Sequence, residues 1–282
     1  MKIISSLRCT EYGQPGHPES PLRVKRSYEF LKSKGYNLIE PIPASESDIA
    51  LVHTKSLIEQ VKTGNFFDAD TPFFDGIFTH ALLSAGAAIQ AAELSLSGDF
   101  GFSLMRPPGH HATKKNIGGF CYFNKIAVAA KKILSKAERI AILDIDVHHG
   151  NGTEDIFKGE KEVLFISLHQ SPLYPGTGMR SEDNCLNFPL PAGTDEEGYL
   201  QVLRAAVEKI AQFKPHLIGM SCGFDTFIDD PLAGIVLTVE SYKKIAQLVF
   251  QLRIPVFCVL EGGYSASLPQ CIDSFLQGCV HV

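Results

Sequence analysis

Short, almost continuous apolar runs alternate along the chain with longer stretches in which apolar residues recur every three or four positions. The runs at 101–104, 139–143, 163–168, 217–222 and 255–260 are short and uniformly apolar, and are predicted as strands buried on both faces. Between them, 79–96, 122–135, 197–213 and 240–252 carry apolar residues at helical spacing, the first rich in alanine. Strands alternating with helices over such lengths imply an α/β fold, a mostly parallel sheet with helices on both faces.

The polar chemistry falls at the ends of those runs. Arg106-Pro107-Pro108-Gly109-His110-His111 follows the first, and Asp144-Ile145-Asp146-Val147-His148 closes the second. Ser167-Leu168-His169 ends the third, Gly223-Phe224-Asp225 through Asp230 follows the fourth, and Glu261-Gly262-Gly263-Tyr264 follows the fifth. The C-terminal edge of an open parallel sheet is where ligands bind, so five segments point to one crevice.

Read as a continuing strand, 140–148 places Asp144, Asp146 and His148 on one face, with Ile145 and Val147 on the other. Burying unpaired carboxylates costs roughly several kcal/mol, and a divalent cation is the simplest group that holds two Asp and one His together. Asp146, His148 and one further carboxylate would leave an open coordination position, as catalytic metals require. Asp230 is the expected third ligand, from the loop 227–234 with its two adjacent acids. Ligand type alone leaves Zn²⁺, Fe²⁺, Co²⁺ and Mn²⁺ open. His110 and His111, presented by a stiff Pro-Pro-Gly turn, are a candidate base and acid, and Tyr264 is a candidate donor to an oxyanion.

Composition narrows the setting. The 282 residues, 45% hydrophobic and 20% charged, suffice for one large core, and no Pro/Gly/Ser linker divides them, so 1–282 is read as one domain. The seven cysteines are odd in number and never spaced C-x-x-C, which speaks against a disulfide framework or a thiolate zinc site. A net charge of −5 with no basic stripe argues against direct nucleic-acid binding. No signal peptide and no run of about 18 consecutive apolar residues are found, so a soluble, cytoplasmic protein without a membrane partner is expected.

The motifs taken together resemble the zinc-dependent histone deacetylase family, which also includes acetylpolyamine amidohydrolases. The resemblance rests on Arg106-Pro-Pro-Gly-His-His-Ala112, Gly118-Gly-Phe-Cys-Tyr-Phe-Asn124, Asp144-Ile-Asp-Val-His-His-Gly-Asn-Gly152, Ser167-Leu-His169, Tyr174-Pro-Gly-Thr-Gly178, Gly223-Phe-Asp225 and Glu261-Gly-Gly-Tyr264, and runs from His17 to Tyr264. It implies the arginase/deacetylase fold, with about eight strands, and one Zn²⁺ bound by Asp146, His148 and Asp230. His110 and His111 match the catalytic pair, with Asp144 behind His110, and Tyr264 matches the oxyanion tyrosine. Gly119, Phe120 and Tyr174 match the walls of an acyl-lysine tunnel, and Asp70 a rim acid that holds the substrate backbone. Leu237, seven residues after Asp230, falls where an acid would suit a cationic polyamine. A structural K⁺ would be ringed by backbone oxygens of Asp144, Asp146, His148 and Leu168 with the Asp144 carboxylate and Ser167 hydroxyl.

Two departures bear on the chemistry: Asn151 stands where many members carry Asp, and Tyr174 where Phe is usual. The implied activity is removal of acetyl groups from N-ε-acetyl-lysine in peptides or proteins, with release of acetate. Competing readings are a small-molecule amidohydrolase for acetylpolyamines, an arginase-like ureohydrolase, and a non-enzymatic module that binds acyl-lysine.

Overall fold

All five residues of Ile140–Asp144 are buried, as are all eight of Val163–Gln170 and all six of Leu217–Cys222. Strands apolar on both faces are stable only where helices cover both sides of a sheet. The computed structural model, which describes residues 1–279, places them there. In chain order the elements are β1 (Lys2–Ile4), a 3₁₀ turn (Leu7–Thr10), α1 (Pro21–Ser33), β2 (Leu38–Ile39), α2 (Glu46–Ile49), α3 (Lys55–Thr63), α4 (Ile77–Leu96) and β3 (Gly101–Ser103). There follow α5 (Lys125–Ala137), β4 (Ile140–Asp144), α6 (Asn151–Phe157), β5 (Val163–Gln170), β6 (Cys185–Leu190), α7 (Glu196–Phe213), β7 (Leu217–Cys222), α8 (Val239–Phe250), β8 (Val256–Leu260) and α9 (Leu268–Gly278).

The eight strands form one parallel sheet in the order β2-β1-β3-β8-β7-β4-β5-β6. Asp144 is in register with Ser221 on one side and Ser167 on the other, and Cys222 with Leu260. The loops leaving β4, β7 and β8 therefore emerge side by side at one edge. The five predicted strands lie at the centre of the sheet, with β1, β2 and β6 added outside them. β6 carries Pro189 on the sheet's outer edge, where a missing N–H breaks no ladder.

The helices start where local capping dictates. Asn124 accepts a hydrogen bond from Ala127 N at the head of α5, and Asp195 from Gly198 N at the head of α7. α4 is long and apolar enough to cross a membrane by length and composition, yet 67% of its apolar window is buried inside the fold, as in a core helix.

β4 stops at Asp144, earlier than the sequence alternation implied. Asp144 Oδ1 accepts Asp146 N at 3.1 Å, and Asp146 Oδ1 accepts His148 N at 2.9 Å. Each carboxylate thus captures the backbone two residues on and ends the ladder. A second buried charge fixes the entrance to the histidine loop. Arg106 is fully buried, and all five of its donors are satisfied: Nε and Nη2 on the Glu19 carboxylate at 2.5 and 2.7 Å, the rest on backbone oxygens of Cys9, Tyr12 and Glu19. Burial would raise the pKa of Glu19, but Arg106 and Arg23 outweigh it and hold the carboxyl below its usual range.

Candidate active site

Three ligand atoms converge beyond β4 and β7. One atom each from Asp146, His148 and Asp225 lie within 4.8 Å of one another. His148 Nδ1 is 3.1 Å from Asp146 Oδ1 and 3.3 Å from Asp225 Oδ2. Asp225 Oδ1 accepts Val147 N at 2.8 Å, whereas Oδ2 is buried and has no hydrogen-bond partner among the described residues. Burial and the charge of Asp146 push the Asp225 carboxyl up to about 7. Against a burial that would lower it, the two carboxylates raise His148 to about 10. An orphaned carboxylate oxygen beside a second carboxylate and an imidazole is a donor set that suits a divalent cation.

Asp230, the expected third ligand, is buried close by: its Oδ2 accepts Tyr264 N at 2.7 Å and its Oδ1 accepts Leu232 N at 3.0 Å. Such backbone hydrogen bonds leave each oxygen a lone pair, as they do for Asp146, whose oxygens accept His148 N and Gly262 N. Asp225, not expected from the sequence, joins Asp146 and His148 in the cluster. Leu237 is fully buried in the core and is not among the residues lining the cavity described below, whereas Leu232 is.

The paired histidines differ in partner. His110 Nδ1 is 2.9 Å from Asp144 Oδ2, and its Nε2 3.8 Å from Asp146 Oδ1. Burial lowers the affinity of His110 for a proton, but Asp146 and Asp144 overcome it and raise the pKa to about 10. His111 Nδ1 is 2.7 Å from Asn151 Oδ1. Burial, joined by the positive charges of His110 and His148, keeps His111 well below its usual pKa, and the neutral Asn151 does little to restore it. One imidazole is thus held charged and its neighbour, with ring centroids 4.0 Å apart, neutral.

A cavity of about 360 Å³ opens over the site, lined by His111, His148, Gly119, Phe120, Tyr174, Leu232 and Tyr264, with His17, Pro18, Ala69, Asp70 and Leu173 completing it. His111 meets the ring of Tyr174 edge-on at 5.0 Å, and Phe120 meets that of Tyr264 at 5.9 Å. Gly119, at φ +55°, lies between them: an added Cβ would come within 2.4 Å of His111 and 3.0 Å of Tyr174. Phe120 holds φ +69°, a strained value for an aromatic residue, and its N–H is anchored on Thr71 Oγ1 at 2.9 Å. Burial raises the Tyr264 phenol well above its usual pKa, with Arg23 partly opposing, so the hydroxyl stays a donor.

The sequence reading did not assign Arg23 to the site. Its guanidinium lies 4.7 Å from the Tyr264 ring centroid, and Nε donates to Gly263 O at 2.7 Å. Asp70 is exposed and belongs to the cavity lining, as a rim residue would. Two of the groups expected around K⁺ have partners within the chain: Ser167 Oγ is 2.9 Å from His169 Nδ1, and both Asp144 carboxylate oxygens accept hydrogen bonds.

The histone deacetylase domain model matches residues 17–279. A probable deacetylase of Archaeoglobus fulgidus is 39% identical over 277 residues, covering 89% of this chain and 77% of the relative. A histone deacetylase-like amidohydrolase of Pseudomonas aeruginosa is 38% identical over 286 residues, covering 91% and 75%. Among solved structures, the acetylpolyamine aminohydrolase of Burkholderia pseudomallei superimposes with a TM-score of 0.94 at 26% identity, covering 100% of this chain and 99% of its own. The parallel eight-stranded sheet is accordingly that of the arginase/deacetylase fold.

Proposed function

The chain is a deacetylase of the histone deacetylase family, and from that premise we propose that it hydrolyses N-ε-acetyl-lysine in peptides or proteins with Zn²⁺ held by Asp146, His148 and a third carboxylate from the loop after β7, Asp230 or Asp225. The observation that carries this reading is the convergence of Asp146, His148 and Asp225 beneath a largely apolar cavity lined by His148, His111 and Tyr264. Zn²⁺ bound there would supply Lewis acidity to the acetyl carbonyl and to the attacking water.

The remaining work falls to the chain. His111 Nδ1–H donates to Asn151 Oδ1, which fixes the tautomer and leaves Nε2 free to accept a proton from the attacking water. As the carbonyl carbon gains the water oxygen, the Tyr264 hydroxyl donates to the developing oxyanion. His111 then returns the proton to the leaving nitrogen, the C–N bond breaks, and acetate and a free amine result. His110, held positive by Asp144, stabilises the negative charge without exchanging the proton. A structural K⁺ is proposed beside this centre: no described residue donates a hydrogen bond to the backbone oxygens of Asp146 or His148.

The likeness to an acetylpolyamine aminohydrolase favours acetylated diamines as a second reading. Against it, Phe120, Tyr174, Leu173 and Leu232 give the cavity apolar walls suited to the methylenes of a lysine, and Leu232 offers no charge to a second amine. Turnover of an acetyl-lysine peptide should therefore exceed that of N-acetylputrescine in parallel acetate-release assays. Leu232→Glu should shift that ratio toward the diamine by about tenfold, the effect of one partly desolvated ion pair. Faster diamine turnover by the unmodified chain overturns the peptide assignment.

A further inference from the structure

Lys125, the first residue of α5, is only 1% exposed. Its ammonium donates to the backbone oxygens of Met105 and Pro107, each at 3.2 Å, and of Leu260. Met105 and Pro107 flank Arg106 at the start of the loop that presents His110 and His111. Leu260 is the last residue of β8, directly before Glu261-Gly262-Gly263-Tyr264.

The stem of the same side chain supports the histidine loop further along. A Cβ added at Gly109 would fall 2.6 Å from Lys125 N and 3.0 Å from its Cγ. Gly109 N donates to Glu261 Oε2 at 2.6 Å, while Oε1 of this fully buried carboxylate has no hydrogen-bond partner among the described residues. The two loops thus share a buried cation and a buried anion at their roots.

A buried ammonium costs roughly several kcal/mol in desolvation unless its donors and charge are matched. Here three carbonyls take the three donors. A neutral apolar side chain would fill the same space without that penalty, so packing alone does not account for a lysine. Burial favours the neutral amine, and the charge of Glu261 opposes it.

We propose that Lys125 is a positioning residue for deacylation: its ammonium fixes the spacing between the loop carrying His110 and His111 and the loop carrying Tyr264. The inference rests on the deacylation reading above. The proton acceptor and the oxyanion donor lie on the loops that follow β3 and β8, neighbours in the sheet, and Lys125 ties the roots of those loops beside the Gly109–Glu261 hydrogen bond and the Arg23–Glu19–Arg106 pairing. Misplacement of reacting groups by about 1 Å costs on the order of 10² in rate, so a small splay acts on kcat.

Lys125→Met tests this, with acetate release and bound zinc measured beside the wild type. The expected result is a 10- to 100-fold fall in kcat, KM within about twofold, and an unchanged zinc content per chain. In a Tyr264→Phe background the same substitution should lower kcat by less than about threefold, because no hydroxyl remains to misplace. If Lys125→Met does not fold, the comparison is made with Lys125→Met/Glu261→Gln, which removes the unmatched carboxylate charge and keeps an oxygen for Gly109 N.

Unchanged kcat with a lowered Tm, or an equal loss in the Tyr264→Phe background, gives Lys125 a purely structural role and overturns the proposal. A wild-type chain that releases acetate from no acetylated amine overturns the deacylation reading, and this inference with it.

Discussion

Of Asp225 and Asp230, the carboxylate that completes the metal site with Asp146 and His148 is expected to release the metal and abolish deacetylation when changed to asparagine, while the other variant retains the metal. Asp225 places an otherwise unpartnered oxygen 3.3 Å from His148 Nδ1, and an amide in its place removes one of the two negative charges in the donor set. Loss of the Lewis acid should lower kcat/KM by at least about 10³, or roughly 4 kcal/mol of transition-state stabilisation. Asp230 accepts the backbone N–H groups of Tyr264 and Leu232, and an asparagine oxygen can keep only one of them. A variant at Asp230 that keeps the metal should lose about tenfold in kcat, from a loosened Tyr264. Zinc per chain after gel filtration separates the two residues. Metal lost from Asp230→Asn and retained by Asp225→Asn assigns Asp230 as the third ligand, and the reverse assigns Asp225.

Tyr264→Phe should leave a folded, metal-binding protein whose kcat is lower by about 10² to 10³, the ~2.7–4 kcal/mol associated with one oxyanion donor. The ring stays packed, since its contacts with Arg23 and Phe120 involve its face and edges rather than the hydroxyl. The hydroxyl is a donor throughout the working pH range because burial holds its pKa high. KM should change little, as the interaction forms with the transition state. A variant with kcat within twofold of the wild type would remove Tyr264 from the chemistry.

The parts of this site that were legible in the sequence share a physical cause. β4, β5 and β7 are buried on both faces, so their composition alone identifies them, and the acids and histidines after them stand out against it. β1 and β2, of three and two residues, are too short to leave a pattern, and β6 is broken by Pro189.

Asp225 and Asp230 are chemically identical, five positions apart and both buried. How each is oriented depends on the backbone N–H groups of Val147, Leu232 and Tyr264, and two of these come from distant segments, so the sequence could not show that Asp225 joins the cluster. Buried charges were the least legible of all. Nothing in the sequence marks Glu19, Arg23, Arg106 and Lys125 as buried charges; the fold brings Arg106 onto Glu19, Arg23 onto Gly263, and Lys125 onto Leu260.

The most direct measurement is acetate release from an acetyl-lysine peptide by metal-stripped protein as Zn²⁺ is added back stepwise. Activity that rises in proportion to zinc and levels off at one equivalent per chain is the result expected of a deacetylase working through a single zinc at Asp146 and His148. Acetate release that ignores zinc, or none at any zinc level, would contradict it.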